Sequence, residues 1–155
     1  MPGNPENRLS DSCAPVYAVS GSRKFADSNV PLYLLSPDAR KAATAQAVLH
    51  ERCFISVQVL NEMTSVMRRK HQYTWPQVAH FLATIRSKCP VEPLTVETHD
   101  TARRLAERYQ INTYDALIAA AALLAGCDTL YSEDMQHGLV LENTLHIVNP
   151  FLDST

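Results

Sequence analysis

Short apolar runs alternate with longer helical patterns from residue 24 to residue 148 of the chain. The length and composition of the apolar runs predict five strands, at residues 24–27, 53–55, 91–94, 129–131 and 146–148. The intervening patterns and their capping residues predict helices at residues 29–35, 38–50, 57–69, 75–89, 98–108 and 113–125. Strands that alternate with helices favour an α/β fold of three layers. We therefore expect a central parallel sheet of four to five short strands with helices on both faces.

The helix predicted at residues 113–125 is apolar nearly all round, which is typical of a helix buried on most of its sides. Gly126 follows it and is a suitable C-terminal cap. Residues 1–23 are instead rich in turn-forming and polar residues, and they predict a flexible N-terminal arm. The sequence thus predicts one folded domain at residues 24–151 and a short tail at residues 152–155.

Composition narrows the range of functions. Hydrophobic residues make up 46% of the chain and the formal net charge is −2. A protein that binds nucleic acid by charge alone is usually strongly basic, so a polyanionic ligand would need a bound cation or a local basic face. No apolar run is long enough for a membrane span and no secretory signal is visible, which favours a cytoplasmic protein. The four cysteines are scattered and lack zinc-ligand spacing.

Four acidic residues occupy positions that meet in such a fold. Asp27 ends the first predicted strand, and Asp134 follows the fourth strand by three residues. Glu62 lies within two turns of the start of the helix after the second strand, and Asp115 lies in the first turn of the buried helix. The carboxyl ends of parallel strands share one edge of the sheet, so we expect these side chains to converge.

Converging carboxylates repel one another by about 4 kcal/mol for a pair ~4 Å apart at an effective dielectric of 20. A divalent cation is the usual relief, and oxygen ligands suit Mg²⁺ or Mn²⁺. Each acid alone also has an ordinary structural interpretation, as a cap, a turn residue or a solvated side chain. The prediction of a metal site therefore depends on the four acids occurring together.

Four segments resemble the motifs of the PIN domain family. Residues 25–30, where Asp27 is followed by Ser28 and Asn29, resemble its opening motif. Residues 56–62, ending at Glu62, are similar to the second motif, and residues 114–121 resemble the third. Residues 126–138 resemble the last motif, and residues 149–151 resemble the end of many bacterial members. The likeness covers residues 24–151 in order, and four motifs in register are specific.

This resemblance implies the PIN fold and divalent-metal ribonuclease activity, most often as the toxin of a VapC-type toxin–antitoxin pair. It implies an RNA substrate, a cognate antitoxin and a homodimer. By motif, Asp27, Glu62, Asp115 and Asp134 take the acidic roles, with Asp27 and Asp115 as direct metal ligands and the other two as direct or water-mediated ligands. Ser28 and Asn29 take supporting roles. Two departures are Tyr114, where many relatives have Trp, and Pro31, where an apolar residue is common.

Other polar groups have two interpretations each. Ser132 can position water, although a turn hydroxyl is the more ordinary role. Arg68, Arg69 and Lys70 can meet phosphates, or can simply complement the dipole at the C-terminal end of their helix. Tyr73 and Trp75 can stack on bases or pack against a neighbouring helix.

Three alternative functions remain open at the level of sequence. The first is a PIN nuclease that processes RNA without an antitoxin, and the second is a catalytically silent PIN-like interaction module. The third is a phosphatase with an aspartyl nucleophile. Such a phosphatase would carry Asp-x-Asp after the first strand, where this chain has Asp27-Ser28-Asn29.

Overall fold

The structure is a computed structural model, and it describes residues 22–153. Its strands are β1 (Lys24–Ala26), β2 (Ile55–Ser56), β3 (Val91–Glu92), β4 (Thr129–Tyr131), β5 (Val140–Leu141) and β6 (Leu145–Val148). Its helices are α1 (Asn29–Leu32), α2 (Ala39–His50), α3 (Val57–Arg69), α4 (Trp75–Lys88), α5 (Val96–Tyr109) and α6 (Thr113–Leu124), with a 3-10 turn at Tyr33–Leu35.

The central sheet has the strand order β1-β4-β6-β5, and the β1–β4 and β4–β6 pairs are parallel. A second parallel pair, β2–β3, extends this sheet on the β1 side through a bridge between Phe25 and Phe54. Two backbone hydrogen bonds join the sheets there, from Ala26 N to Phe54 O (2.9 Å) and from Phe54 N to Lys24 O (2.8 Å). The predicted α/β architecture with a mostly parallel sheet is confirmed.

The edge strand β5 was not predicted, and it runs antiparallel to β6. Its two residues are too few to give a periodic signal. The turn that follows places Glu142 and Asn143 at positive φ (52° and 61°), a conformation that hairpin turns require but that glycine usually supplies. The sequence therefore carries neither of the signals by which a short hairpin is recognised.

Two element boundaries differ from the predicted ones for local reasons. Helix α5 begins at Val96 because Thr95 caps it, in a capping box completed by Thr98. Strand β3 ends at Glu92, before Pro93, which has no N–H to donate to a ladder. Helix α4 begins after the Thr74 cap, as predicted.

Helix α6 lies in the core, as its apolar sequence predicted, and five of its alanine and isoleucine side chains from residues 118–122 are buried. Phe25, Leu130 and Ile147 from the central strands are also fully or almost fully buried. Gly126 follows the end of α6 with a φ of +76°, the left-handed conformation of a C-terminal cap. This packing fixes the strands and α6 relative to one another, and so fixes the residues at their ends.

None of the helices within residues 22–153 has the length and apolar character needed to cross a bilayer. The predicted arm lies outside the described residues except for its last two. Of these, Arg23 donates from Nη1 to the carbonyl oxygen of Ala125 at 2.9 Å, which ties the start of β1 to the end of α6. In the predicted tail, Asp153 pairs with Arg40 at 2.8 Å.

Candidate active site at the carboxyl edge of the sheet

Asp27 follows β1 and is the most buried of the four predicted acids, with 1% of its surface exposed. Its backbone N donates to Tyr131 O (2.9 Å), which extends the β1–β4 pairing by one residue. Its carboxylate accepts hydrogen bonds from Ser132 Oγ and from Ser28 N, both at 2.7 Å. Burial raises the pKa of Asp27 to about 7, with smaller contributions from the charges of Glu62 and Asp115, although the two hydrogen bonds oppose the shift.

Glu62 is placed by the direct passage from β2 into α3. Ser56, the last residue of β2, caps α3 by accepting from Val59 N (3.3 Å), and Glu62 then falls in the second turn. Its carboxylate accepts from Ser28 Oγ (3.0 Å) and from Gln58 Nε2 (3.2 Å). Ser28 therefore connects Asp27 and Glu62.

Asp115 lies in the first turn of α6, where Asn112 is the N-cap. The Asn112 side-chain oxygen accepts from Tyr114 N (2.7 Å) and from Asp115 N (3.4 Å). Burial raises the pKa of Asp115, and the charges of Asp134 and Glu62 add to the shift. Burial therefore contributes more to this shift than the neighbouring acids do.

Asp134 is exposed and lies on the loop after β4, where two polar residues hold it. Asn29 Nδ2 donates to its carboxylate at 3.0 Å. Ser132 Oγ accepts from the backbone N of Asp134 and of Met135, both at 3.2 Å, while it donates to Asp27. These contacts agree with the role of a turn hydroxyl for Ser132, and the same hydroxyl orients the Asp27 carboxylate.

The four acids form one electrostatic group, because Glu62 and Asp115 act on Asp27, and Asp134 and Glu62 act on Asp115. Among residues 22–153, none of the four has an ion-pair partner. In that same range no three His, Cys, Asp or Glu side chains are close enough to hold a metal ion by themselves. Mg²⁺ commonly takes only one or two protein carboxylates and keeps several waters. The donors present therefore fit a cation that is held partly through water.

A family model for the PIN domain matches residues 24–138, which contain all four acids. The chain belongs to the PIN domain family. No curated protein matches it in sequence.

Several solved structures resemble this PIN domain, including the following three. A toxin–antitoxin complex from Klebsiella pneumoniae has 18% identity and a TM-score of 0.63, over 84% of this chain and 98% of the other. VapC20 of Mycobacterium tuberculosis, a sarcin–ricin loop cleaving toxin, has 23% identity and a TM-score of 0.58, over 72% and 89%. VapBC2 of Rickettsia felis, bound to a promoter DNA fragment, has 17% identity and a TM-score of 0.58, over 81% and 98%. At these identities the likeness establishes the fold.

A cavity of about 420 Å³ in this PIN domain is lined by Asp134, one of the four acids. Ser28, Asn29 and Asp134 line it on the side of the site, and Lys70 and His71 line it from the C-terminal end of α3. Of the three predicted RNA-contacting cations, only Lys70 lies on this cavity.

The other two predicted cations make local contacts. Arg68 donates to Tyr73 O (2.7 Å) and its guanidinium lies 4.4 Å from the centre of the Trp75 ring. Arg69 Nε donates to Ser65 Oγ (3.0 Å), one turn back on α3. Arg68 therefore organises the aromatic residues after α3.

Gln58 and Asn112 are residues of the site region that sequence reasoning missed. Gln58 precedes Glu62 by four residues, a spacing at which side chains on a helix meet, and Asn112 stands directly before the predicted helix as a standard N-cap. Both signals were present in the sequence. The position of His71 depends on how the chain turns after α3, which no local pattern shows.

Proposed function

We propose that this PIN domain is a divalent-metal-dependent endoribonuclease that hydrolyses RNA phosphodiester bonds. The observation that carries the proposal is the group of four acids, with Asp27 buried and without a cationic partner within residues 22–153. A buried, uncompensated carboxylate is costly. Asp27 is such a carboxylate, and three further acids lie near it at the same edge of the sheet. This arrangement is better explained by a function than by stability.

Asp27 and Asp115 are the ligands that we propose for Mg²⁺ or Mn²⁺, with Glu62 and Asp134 binding directly or through water. The chemistry that such a cation supplies when bound is activation of a water molecule and neutralisation of charge on the scissile phosphate. Ser132 and Ser28 N fix the orientation of the Asp27 carboxylate. Ser28 Oγ donates to Glu62, and Asn29 donates to Asp134, so each of the remaining two acids is held by a hydrogen bond.

We further propose that the nuclease is the toxin of a type II toxin–antitoxin pair, acting as a cytoplasmic homodimer. Support comes from the similar solved structures, which include a toxin–antitoxin complex and VapBC2. RNA as the substrate is supported by VapC20, which cleaves the sarcin–ricin loop. A PIN nuclease of RNA processing would share the chemistry but would act without an antitoxin.

The test is incubation of the purified protein with total cellular RNA in Mg²⁺, in Mn²⁺ and in EDTA. We expect discrete cleavage products with either metal and none in EDTA. Asp115→Asn should abolish cleavage, because it removes a proposed ligand without changing the size of the side chain. Asp153→Asn is the matched control, since Asp153 is a carboxylate that pairs with Arg40 away from the acids.

Two results would contradict the proposal. Full activity in Asp115→Asn would remove Asp115 from the site, and intact RNA under every condition would favour a silent interaction module. Growth arrest on expression of the wild-type protein but not of Asp115→Asn would separate a toxin from a nuclease of RNA processing.

A further inference from the structure

We propose that residues from the end of α3 to the start of α4 form a binding surface for the bases of a single RNA strand that leaves the acidic site. This surface, the aromatic platform, consists of Arg68, Lys70, His71, Tyr73 and Trp75. The inference rests on the proposed nuclease function. The part of the substrate that this surface contacts is a stretch of unpaired bases next to the cleaved bond.

Trp75 is the centre of the aromatic platform. It is the first residue of α4 and 60% of its surface is exposed, although it is the largest side chain in the protein. The Arg68 guanidinium carbon lies 4.4 Å from the centre of the Trp75 ring. Arg68 is itself fixed by its hydrogen bond to Tyr73 O (2.7 Å). The indole is therefore held in place by a cation while much of its surface stays open to solvent.

The platform is continuous with the acidic site. Lys70 and His71 line the cavity that Asp134 and Ser28 line from the other side. The His71 and Tyr73 rings are stacked, with centres 5.8 Å apart and planes inclined by 28°. Flat side chains thus lead from the cavity to Tyr73, and Arg68, which donates to Tyr73 O and lies over the Trp75 ring, connects them to Trp75.

The chemistry of the platform favours a nucleic acid strand over a protein. Proteins bind unpaired strands by combining cations that follow the phosphates with aromatic rings on which bases stack, and Lys70 supplies a solvent-exposed cation here. Lys70 and His71 are exposed, so that phosphates can reach them. The net charge of −2 makes such a local basic surface necessary for an RNA ligand.

The test uses the fluorescence of Trp75, which is the only tryptophan in the chain. Asp115→Asn protein in Mg²⁺ is titrated with a short single-stranded RNA and with the same sequence as a duplex, while fluorescence anisotropy of a dye on the RNA reports total binding. We expect the single strand to quench the indole emission and the duplex to leave it nearly unchanged, because paired bases cannot stack on the ring.

Variants with the dye-labelled RNA give an independent readout. Trp75→Ala should weaken binding of the single strand on the order of 10-fold, whereas Trp75→Phe, which keeps a ring, should retain most of the affinity. Val96→Ala is the control, because it trims another exposed apolar residue at the first position of a helix. Thermal melts of all variants establish that they are folded.

Binding of the single strand with unchanged Trp75 emission, or equal affinities for wild type and Trp75→Ala, would overturn the platform. Failure of the two proposals is distinguishable. RNA cleavage without quenching would support the nuclease proposal and contradict the platform proposal. Quenching without cleavage would support strand binding by the platform and contradict the nuclease proposal.

Discussion

The hydroxyl of Ser132 shows how much one buried side chain contributes to this site. It is fully buried, donates to the Asp27 carboxylate and accepts from two backbone N–H groups of the loop that carries Asp134. It therefore connects the acid after β1 to the acid after β4. Burial raises the pKa of Asp27, so ionisation of this carboxyl opposes folding when no cation is present.

This gives a prediction about pH. In EDTA, the folded-state pKa of about 7 lies above the ordinary value of 3.8, so the native state holds a proton that the unfolded chain releases. The free energy of unfolding should fall as pH rises from 3.8 to about 7 and then level off. The loss attributable to Asp27 is roughly 4 kcal/mol, at ~1.4 kcal/mol for each pKa unit.

Urea denaturation of wild type and Asp27→Asn across this pH range measures the difference. The variant has no carboxyl to titrate, so its profile should be flatter than that of wild type. Parallel profiles would show that Asp27 does not ionise in this range.

At the scale of elements, N-caps decide where the acids lie. Asn112 holds the first turn of α6 and accepts from the N–H of Asp115 itself, while Thr95 caps α5 away from the acids. Asn112→Ala should cost about 1 kcal/mol of stability and should also reduce RNA cleavage, because Asp115 loses its fixed position. Thr95→Ala should cost a similar stability with cleavage unchanged.

Chemical denaturation and cleavage rates of the two cap variants make the comparison. Equal cleavage rates in Asn112→Ala and wild type would show that the cap serves stability alone.

Helices and most strands were predictable because their signals are local. Thr74, Asn112 and Gly126 mark boundaries through backbone hydrogen bonding or φ, which act within a few residues. The meeting of the acids followed from parallel strands sharing an edge. Strand β5 was missed because its pairing depends on β6 and on a turn without glycine.

Side-chain partnerships within the site were less predictable. That Ser28 would donate to Glu62, or that Lys70 but not Arg69 would line the cavity, depends on rotamers and on how α3 ends. These contacts arise from packing between segments that are distant along the chain, so local sequence patterns do not predict them.

At the scale of the whole molecule, a bound cation should stabilise the fold, because a ligand that binds only the native state shifts the unfolding equilibrium. At a cation concentration about 100 times its Kd the gain is ~2.7 kcal/mol, or a rise of about 5 to 10 °C in Tm for a chain of this size. Thermal melts with and without Mg²⁺ measure it. Asp153→Asn should respond like wild type and Asp27→Asn should not; a Tm of wild type insensitive to Mg²⁺ and Mn²⁺ would count against the site.

The acids lie directly after β1, in α3, in α6 and on the loop after β4, and these segments are far apart along the chain. A nascent chain still on the ribosome, with β4 not yet synthesised, has Asp27 but neither Ser132 to orient it nor Asp134 beside it. Proteolytic fragments from either half are incomplete in the same way. A cell that makes this protein therefore meets the assembled site only after translation has passed β4, and a single cut between α3 and α6 followed by separation of the pieces dismantles it.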